Sequence, residues 1–237
     1  MTGATQNVYC GLHEFNDMGF LIHFLRKDDF FIDIGANIGT YTVLASGHVG
    51  AKTFTFEPVP LTFSHLLSNI SINQIEEKAF AFNIALGSAK GSVNFTSSFD
   101  TMNHVANEDE KNTISVPVET LDGVLSNQEI PLLIKIDVEG FETEVIAGGM
   151  KTLEHPGLKA LIIELNGSGS RYNYDEYQIH DTLINRGFIP FQYDPKNRVL
   201  TEIATFGSSN TIYIRDLNFV QERLKAAPKT KILNSEI

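Results

Sequence analysis

Hydrophobic positions follow two alternating rhythms through the first third of the chain. Phe30 to Ile34 reads Phe-Phe-Ile-Asp-Ile, an apolar run broken only by Asp33, as expected of a strand buried on both faces. Thr53–Glu57 and Ala79–Leu86 are two more short strand-like runs. Between and before them the spacing becomes helical. Phe15, Met18, Leu21, Ile22 and Leu25 recur within residues 13–26, and Phe63, Leu66, Leu67 and Ile70 within Leu61–Asn73, behind Pro58 and Pro60. A third helix is expected over Ile38–Ser46. The order β-α-β-α-β predicts a parallel sheet with right-handed crossovers.

That rhythm then breaks. Gly91–Ser98 and Thr113–Leu121 alternate like strands and flank a polar stretch holding Asp100, His104, Glu108, Asp109 and Glu110. This predicts a β-hairpin insertion over about 91–121, with a long tip of the kind that contacts substrates. Further on, Leu132–Asp137 and Leu158–Leu165 are strands. Phe141–Leu153 is a helix weakened by Gly148 and Gly149, and Gly167–Ser170 is a flexible loop. Tyr174–Arg186 is a helix stopped by Gly187, and Phe188–Tyr193 and Thr211–Arg215 form a closing antiparallel pair. Three segments follow: an N-terminal helical lead-in (1–28) packed on the core, the α/β domain (29–216), and a polar tail (217–237). The tail carries Arg223, Lys225, Lys229 and Lys231 against Glu222 and Glu236 and reads as a solvated, frayed end.

Composition narrows the class. With 42% hydrophobic residues among 237, a sizeable core can be buried. A formal net charge of −11 argues against binding nucleic acid or an anionic membrane surface. Cys10 is the only cysteine, so no intrachain disulfide is expected. The apolar run Phe20–Leu25 is interrupted by His23 and is too short to span a bilayer. The polar start, residues 1–9, has no signal pattern, so a cytoplasmic protein is the expectation.

Three places carry chemistry. The turn Asp33-x-Gly35-x-x-x-Gly39 lies where open α/β sheets bind nucleotide-like ligands. It lacks the Gly-x-Gly-x-x-Gly dinucleotide pattern. An acid before the turn repels a pyrophosphate but suits a cationic ligand such as S-adenosylmethionine, with its ammonium and sulfonium. Gly35 would let the ligand approach the main chain, and Gly39 would let the next helix sit close to the strand. The competing structural role for Asp33 is a helix cap. Glu57 ends the second strand about 20 residues on, where such folds place an acid on ribose hydroxyls; alone it would read as solvated surface. In Lys135-Ile-Asp137-Val-Glu139-Gly140 the three charged residues share one strand face, which is costly unless they pair or are used. They form either an internal Lys–Asp ion pair or the rim of a pocket, with Glu142, Glu164 and Asn166 close by. His104, in the hairpin tip, is an alternative base, although a loop histidine is most often simply exposed. The other histidines lack ligand spacing, so no metal is expected, and a divalent ion among the acids stays as an alternative. Ser168 and Ser170 lack a nucleophile-elbow context.

At these residues the chain resembles the FkbM family of S-adenosylmethionine-dependent methyltransferases. The matching pieces are Phe31-Ile-Asp-Ile-Gly-Ala-Asn-Ile-Gly-Thr-Tyr-Thr42, Phe56-Glu-Pro58, Asn83-Ile-Ala-Leu-Gly87, Thr120-Leu-Asp122 and Ile134-Lys-Ile-Asp-Val-Glu-Gly140, in order across most of residues 13–215. The resemblance implies a Rossmann-like seven-stranded sheet, mostly parallel with one antiparallel strand and with helices on both faces. It also implies O-methylation of a hydroxyl on a sugar or secondary metabolite. Asp33, Gly35, Ala36, Asn37, Gly39, Glu57 and Asp137 would hold S-adenosylmethionine, Asn83 would lie near the adenine, and Asp137 and Glu139 would face the transfer site. Phe141 departs from the family, where a histidine frequently follows the Glu-Gly pair, so no base is available there. The competing functions are a non-catalytic cofactor-binding module and, through the missing glycine pattern less favoured, a nicotinamide-dependent oxidoreductase.

Overall fold

The computed structural model describes residues 11–96, 104–106, 113–233 and 235–237. Its centre is an eight-stranded sheet in the order β10-β9-β11-β8-β7-β1-β2-β3. The strands are β1 (Phe30–Ile34), β2 (Lys52–Phe56), β3 (Ala79–Phe82), β7 (Leu133–Ile136), β8 (Ala160–Glu164), β9 (Ile189–Asp194), β10 (Val199–Glu202) and β11 (Asn210–Ile214). β3, β2, β1, β7 and β8 run parallel. β11 is antiparallel to both β8 and β9, and β10 is antiparallel to β9. The sheet therefore has eight strands and two reversed ones, where seven and one were expected. The extra strand is β10. The turn before it is built by Asp194, whose carboxylate accepts from the Lys196 and Asn197 amides, a side-chain turn that closes a hairpin.

Alternation along the central strands divides the core. Phe31, Leu133, Ala160, Ile162, Ile212 and Ile214 face one side, against α1 (Phe15–Phe24). Ile32, Ile34, Ile134, Ile136, Leu161 and Ile163 face the other, against α5 (Glu142–Ala147), α6 (Met150–Glu154) and α7 (Glu176–Ile184). The period of two in a strand dictates the consequence for chemistry: Asp33 and Lys135, register partners across β1 and β7, both lie on the α1 side.

Several expected elements change at identifiable residues. The helix after the glycine turn is α2 (Thr40–Val43) running into a π-helical segment, Leu44–Val49. α3 is Pro60–Ile72. The run Ala79–Leu86 splits after Phe82: β3 stays in the main sheet while β4 (Ala85–Leu86) pairs with β6 (Thr113–Glu119) in a separate sheet. β6 also pairs antiparallel with β5 (Gly91–Thr96), giving the hairpin. A short helix, α4 (Leu121–Val124), leads from it back to β7. Most of the tip lies outside the described residues, except 104–106. The helix expected over Phe141–Leu153 breaks at Gly148 and Gly149 into α5 and α6. The loop at Gly167–Ser170 contains a 3-10 turn, Ser168–Tyr172.

The chain end is not frayed. Leu217–Ala226 forms α8, with Val220 and Leu224 buried against the α1 side of the sheet. The tail's cations act as clamps. Arg223 donates to the Phe24 carbonyl at 2.8 Å and pairs with Asp29, and Arg198 from the β9–β10 turn donates to the Ala227 carbonyl at 2.6 Å. Beyond α8, β12 (Lys231–Ile232) and β13 (Ser235–Glu236) pair as a small ribbon. Replacing a fully buried leucine by alanine costs about 3 kcal/mol. Leu224→Ala should lower unfolding stability by about that amount in a urea titration, and an unchanged midpoint would show that α8 is not docked.

Candidate active site

The order of the sheet reverses between β1 and β7. The crevice beyond the carboxyl ends of these strands is where α/β sheets bind ligands. Here it is a cavity of about 300 Å³ lined by the Gly35–Ile38 turn, Glu57, the ends of β7 and β8, and the start of α1.

The turn is shaped by close packing of backbone. Gly35 has φ 75°, and a side chain there would overlap the Asp137 carbonyl. Its freedom brings the ends of β1 and β7 together, and Gly35 also lines the cavity. Gly39, at φ 89°, abuts Leu66 of α3, so it brings the turn close to a helix, not to the strand. The Gly35 and Ala36 amides both donate to the Phe56 carbonyl, at 3.0 and 2.9 Å. Asn37 is left-handed, at φ 52°, and its Oδ1 accepts from the Ile38 amide at 2.8 Å.

Glu57 closes this corner. Its Oε2 accepts from the Asn37 amide at 3.0 Å and its Oε1 from the Val59 amide at 2.9 Å. A carboxylate has roughly four acceptor positions, so each oxygen retains one toward the cavity. Burial pushes the Glu57 carboxyl up to about 7, against the pull of those two amides. Asn83 does not line the cavity. Its Nδ2 donates to the Glu57 and Pro58 carbonyls at 2.8 and 2.9 Å, so it braces the loop, while the following residues Ile84, Ala85 and Leu86 form wall.

Across the crevice sits a cluster of charge. Lys135, 3% exposed, has its Nζ 2.7 Å from Asp137 Oδ2 and 4.8 Å from the centre of the Tyr41 ring. Burial alone would lower its pKa; Asp137, Glu14 and Asp33 outweigh that and hold the ammonium protonated. Asp33 is fully buried. Its Oδ2 accepts from Thr42 Oγ1 at 2.7 Å, its Oδ1 has no hydrogen-bond partner, and burial raises its pKa. Asp137, Glu139 and Glu164 each place a carboxylate oxygen within 4.8 Å of the others. Glu139 is left-handed, at φ 56°, with its carbonyl held by Arg171 at 2.8 Å. Burial, then Asp137 and Glu139, push Glu164 up to about 8.

The remaining residues divide between structure and lining. Glu142, read as a further acid beside the pocket, turns inward: its Oε1 accepts from the Val138 and Gly140 amides at 3.0 and 3.3 Å. His104 is buried at 7% exposure rather than open in a loop, with its amide donating to Thr96 Oγ1 at 3.1 Å. It does not line the cavity, although its charge would act on Glu139. His13, Glu14 and Tyr41 do line it and were missed. Glu14 accepts from the Tyr41 hydroxyl and, at 3.0 Å, from Asn210 Nδ2. No spacing in the chain brings residues 14, 41 and 210 together; the only local hint is Glu14 at the start of an amphipathic helix.

Comparison with known proteins adds the family. The Methyltransferase FkbM domain matches residues 33–190, well over half of the chain. The chain belongs to the FkbM methyltransferase family. Hexuronic acid methyltransferase AglP of Haloferax volcanii is 28% identical over 148 residues, a match spanning 62% of this chain and 59% of the relative's length. Among solved structures, a TehB-like SAM-dependent methyltransferase from Corynebacterium glutamicum superposes with a TM-score of 0.48 at 10% identity, covering 90% of this chain and 94% of that one. Precorrin-6y C5,15-methyltransferase from Geobacter metallireducens gives 0.45 at 13% identity, covering 82% and 84%.

The FkbM domain is a methyltransferase, and its cofactor is S-adenosylmethionine. The residues present fit that group on chemistry of their own. The cavity wall carries Glu14, Asp33, Glu57, Asp137, Glu139 and Glu164 against Lys135 and His13, an excess of acid that attracts a cationic ligand. Asp33 Oδ1 is also an acceptor still waiting for a donor. Among the described residues no helix is long and apolar enough to cross a membrane.

Buried acids with raised pKa values give a sign to pH dependence. Glu57 and Glu142 sit near 7 when folded and lower when unfolded. Their contribution is therefore fully present below the unfolded value, about 4.5, and is lost as pH rises toward 7. The ligand-free protein should melt at progressively lower temperature between pH 5 and pH 7.5. Glu142→Gln, which keeps the oxygen that binds Val138 and Gly140, should flatten that dependence in a thermal scan; an equally steep curve would remove Glu142 from the account.

Proposed function

We propose that the FkbM methyltransferase domain of this chain is an O-methyltransferase whose acceptor is a hydroxyl on a saccharide or secondary metabolite. The observation that carries this is the meeting, at the switch point, of an acid-lined cofactor corner with a separate group of carboxylates at the ends of β7 and β8. The similarity to a hexuronic acid methyltransferase supports a sugar as acceptor.

S-adenosylmethionine supplies an activated methyl carbon on a good leaving group. The chain's residues do the rest. Gly35, Ala36, Asn37 and Gly39 form the turn against which the cofactor lies. Glu57 binds the ribose hydroxyls through its two remaining acceptor positions, Asp33 meets the ligand's cationic end, and Asn83 fixes Glu57 and Pro58 in place. Asp137 and Glu139 orient the acceptor oxygen, a positioning effect on the order of several kcal/mol. Phe141 occupies the place where the family often has a histidine. The acceptor is a small molecule or saccharide rather than nucleic acid, since both the chain, at −11, and the cavity wall are acidic.

Calorimetry with S-adenosylhomocysteine, set against NAD, tests the cofactor assignment, and methyl transfer from labelled cofactor to a panel of hydroxylated sugars tests the acceptor class. Glu57→Gln leaves an amide that cannot accept two hydroxyl protons through both its ends. It should weaken S-adenosylhomocysteine binding by about 10- to 100-fold, the size of a lost charge-assisted pair of hydrogen bonds. Unchanged affinity would sink the ribose assignment. Asp137→Asn should lower turnover with cofactor affinity largely kept, and full activity in that variant would remove Asp137 from the transfer site.

A further inference from the structure

Resting on the O-methyltransferase reading, we propose that Glu164 takes the proton released by a neutral hydroxyl acceptor, with Asp137 beside it held in an ion pair by Lys135. Elimination among the groups of the cavity leads there. Asp137 Oδ2 is engaged by the Lys135 ammonium at 2.7 Å. Burial and then Asp137 raise the Glu139 carboxyl, the Arg171 guanidinium opposes them, and Arg171 also binds its backbone carbonyl. Phe141 has no ionisable group, and His104 is not part of the cavity wall. Glu164 is different. It ends β8, next to β7 in the sheet, lines the cavity, and has its carboxylate within 4.8 Å of Asp137 and Glu139.

Electrostatics supports the same assignment. Acting on Glu164 are Asp137 and Glu139, just past the end of β7, and Lys135 within it, while Asp33, His13 and Glu14 line the same cavity. One lysine does not balance that many acids, so the group takes up a proton most readily where no cation is paired. With its carboxyl near 8, Glu164 is close to the operating pH, the best position for a general base. In balance, the acceptor oxygen gains the methyl carbon as the carbon–sulfur bond breaks, its proton passes to a Glu164 carboxylate oxygen, and the sulfonium charge is lost with the neutral thioether. The same surroundings choose the acceptor. A carboxylate acceptor has no proton to give up and would bring another negative charge among six acids. A neutral hydroxyl has the proton that Glu164 is placed to receive.

The test combines a spectroscopic titration with kinetics on the full chain. Carboxyl infrared difference spectra of the wild type against Glu164→Gln should show one protonated carboxyl band that titrates near pH 8 and is missing in the variant. With a hydroxylated saccharide acceptor, wild-type kcat should rise about tenfold per pH unit below 8 and then level. Glu164→Gln should lower kcat by about 10²- to 10³-fold and flatten the profile, while S-adenosylhomocysteine affinity stays within about threefold. Glu164→Asp should restore part of the slope. A sloping profile kept in Glu164→Gln, absence of the carboxyl band from the wild type, or activity abolished by a chelator and restored by a divalent ion would each overturn the assignment. Absence of transfer to any hydroxyl in the wild type, with the band present, would instead count against the O-methylation reading on which it rests.

Discussion

A lysine ammonium buried in the middle of a β-sheet is the constraint on which this molecule is arranged. Such a group is costly unless it is paired and hydrogen-bonded. Lys135 meets that demand with Asp137 two residues on, Asp33 across the strand pair, and Glu14 from the first helix. The ring of Tyr41 lies against it as well. These partners come from β7, β1, α1 and α2, so the charge can be satisfied only when all four elements are in place. The ion pair thus ties sheet register to helix docking. It does so at the switch point, where the fold leaves an open crevice.

The same arrangement sets the chemistry. Acids gathered around one lysine leave an excess of negative potential in a small cavity, which favours a cationic ligand and adds to burial in raising the Glu164 carboxyl. The two halves of the crevice remain distinct. On the Glu57 side, acid oxygens are fixed by backbone amides at the cavity wall. On the Glu164 side, carboxylates face one another and compete for protons. The loop from Val138 to Gly140 is stapled by Glu142 from below, which keeps the acidic end of β7 from relaxing into solvent.

Packing away from the site follows from the need to cover both faces of the sheet. Apart from Asp33 and Lys135, the central strands turn apolar residues such as Phe31, Leu133 and Ile214 to the α1 side. The C-terminal helix adds cover there through Val220 and Leu224. Its Arg223, which in sequence looks like solubilising charge, instead donates to the Phe24 carbonyl at the end of α1 and pairs with Asp29. The additional strand β10 similarly extends the sheet beyond the expected seven.

Much of the central architecture was legible because it depends on local order. Apolar runs at 30–34 and 132–137, the acid and glycines of the first turn, and the helical spacing of 61–73 each reflect a period that a strand or helix imposes on its own residues. Asp33, Glu57, Asp137 and Glu139 could be singled out because they interrupt or end such runs. What the sequence did not show are relations between residues far apart. Gly35 is needed for the Asp137 carbonyl, Asn83 braces a carbonyl pair instead of lining the pocket, His104 is buried, and residues 14, 41 and 210 share a hydrogen-bond network. The split of 79–86 between two sheets and the docking of the C-terminal helix are of the same kind. Patterns of hydrophobicity specify which face of an element is buried, but not what it is buried against. The chain by itself determined the strands, the turn and the acids; only tertiary packing decided which acids meet, because burial and mutual repulsion act through space and not along the sequence.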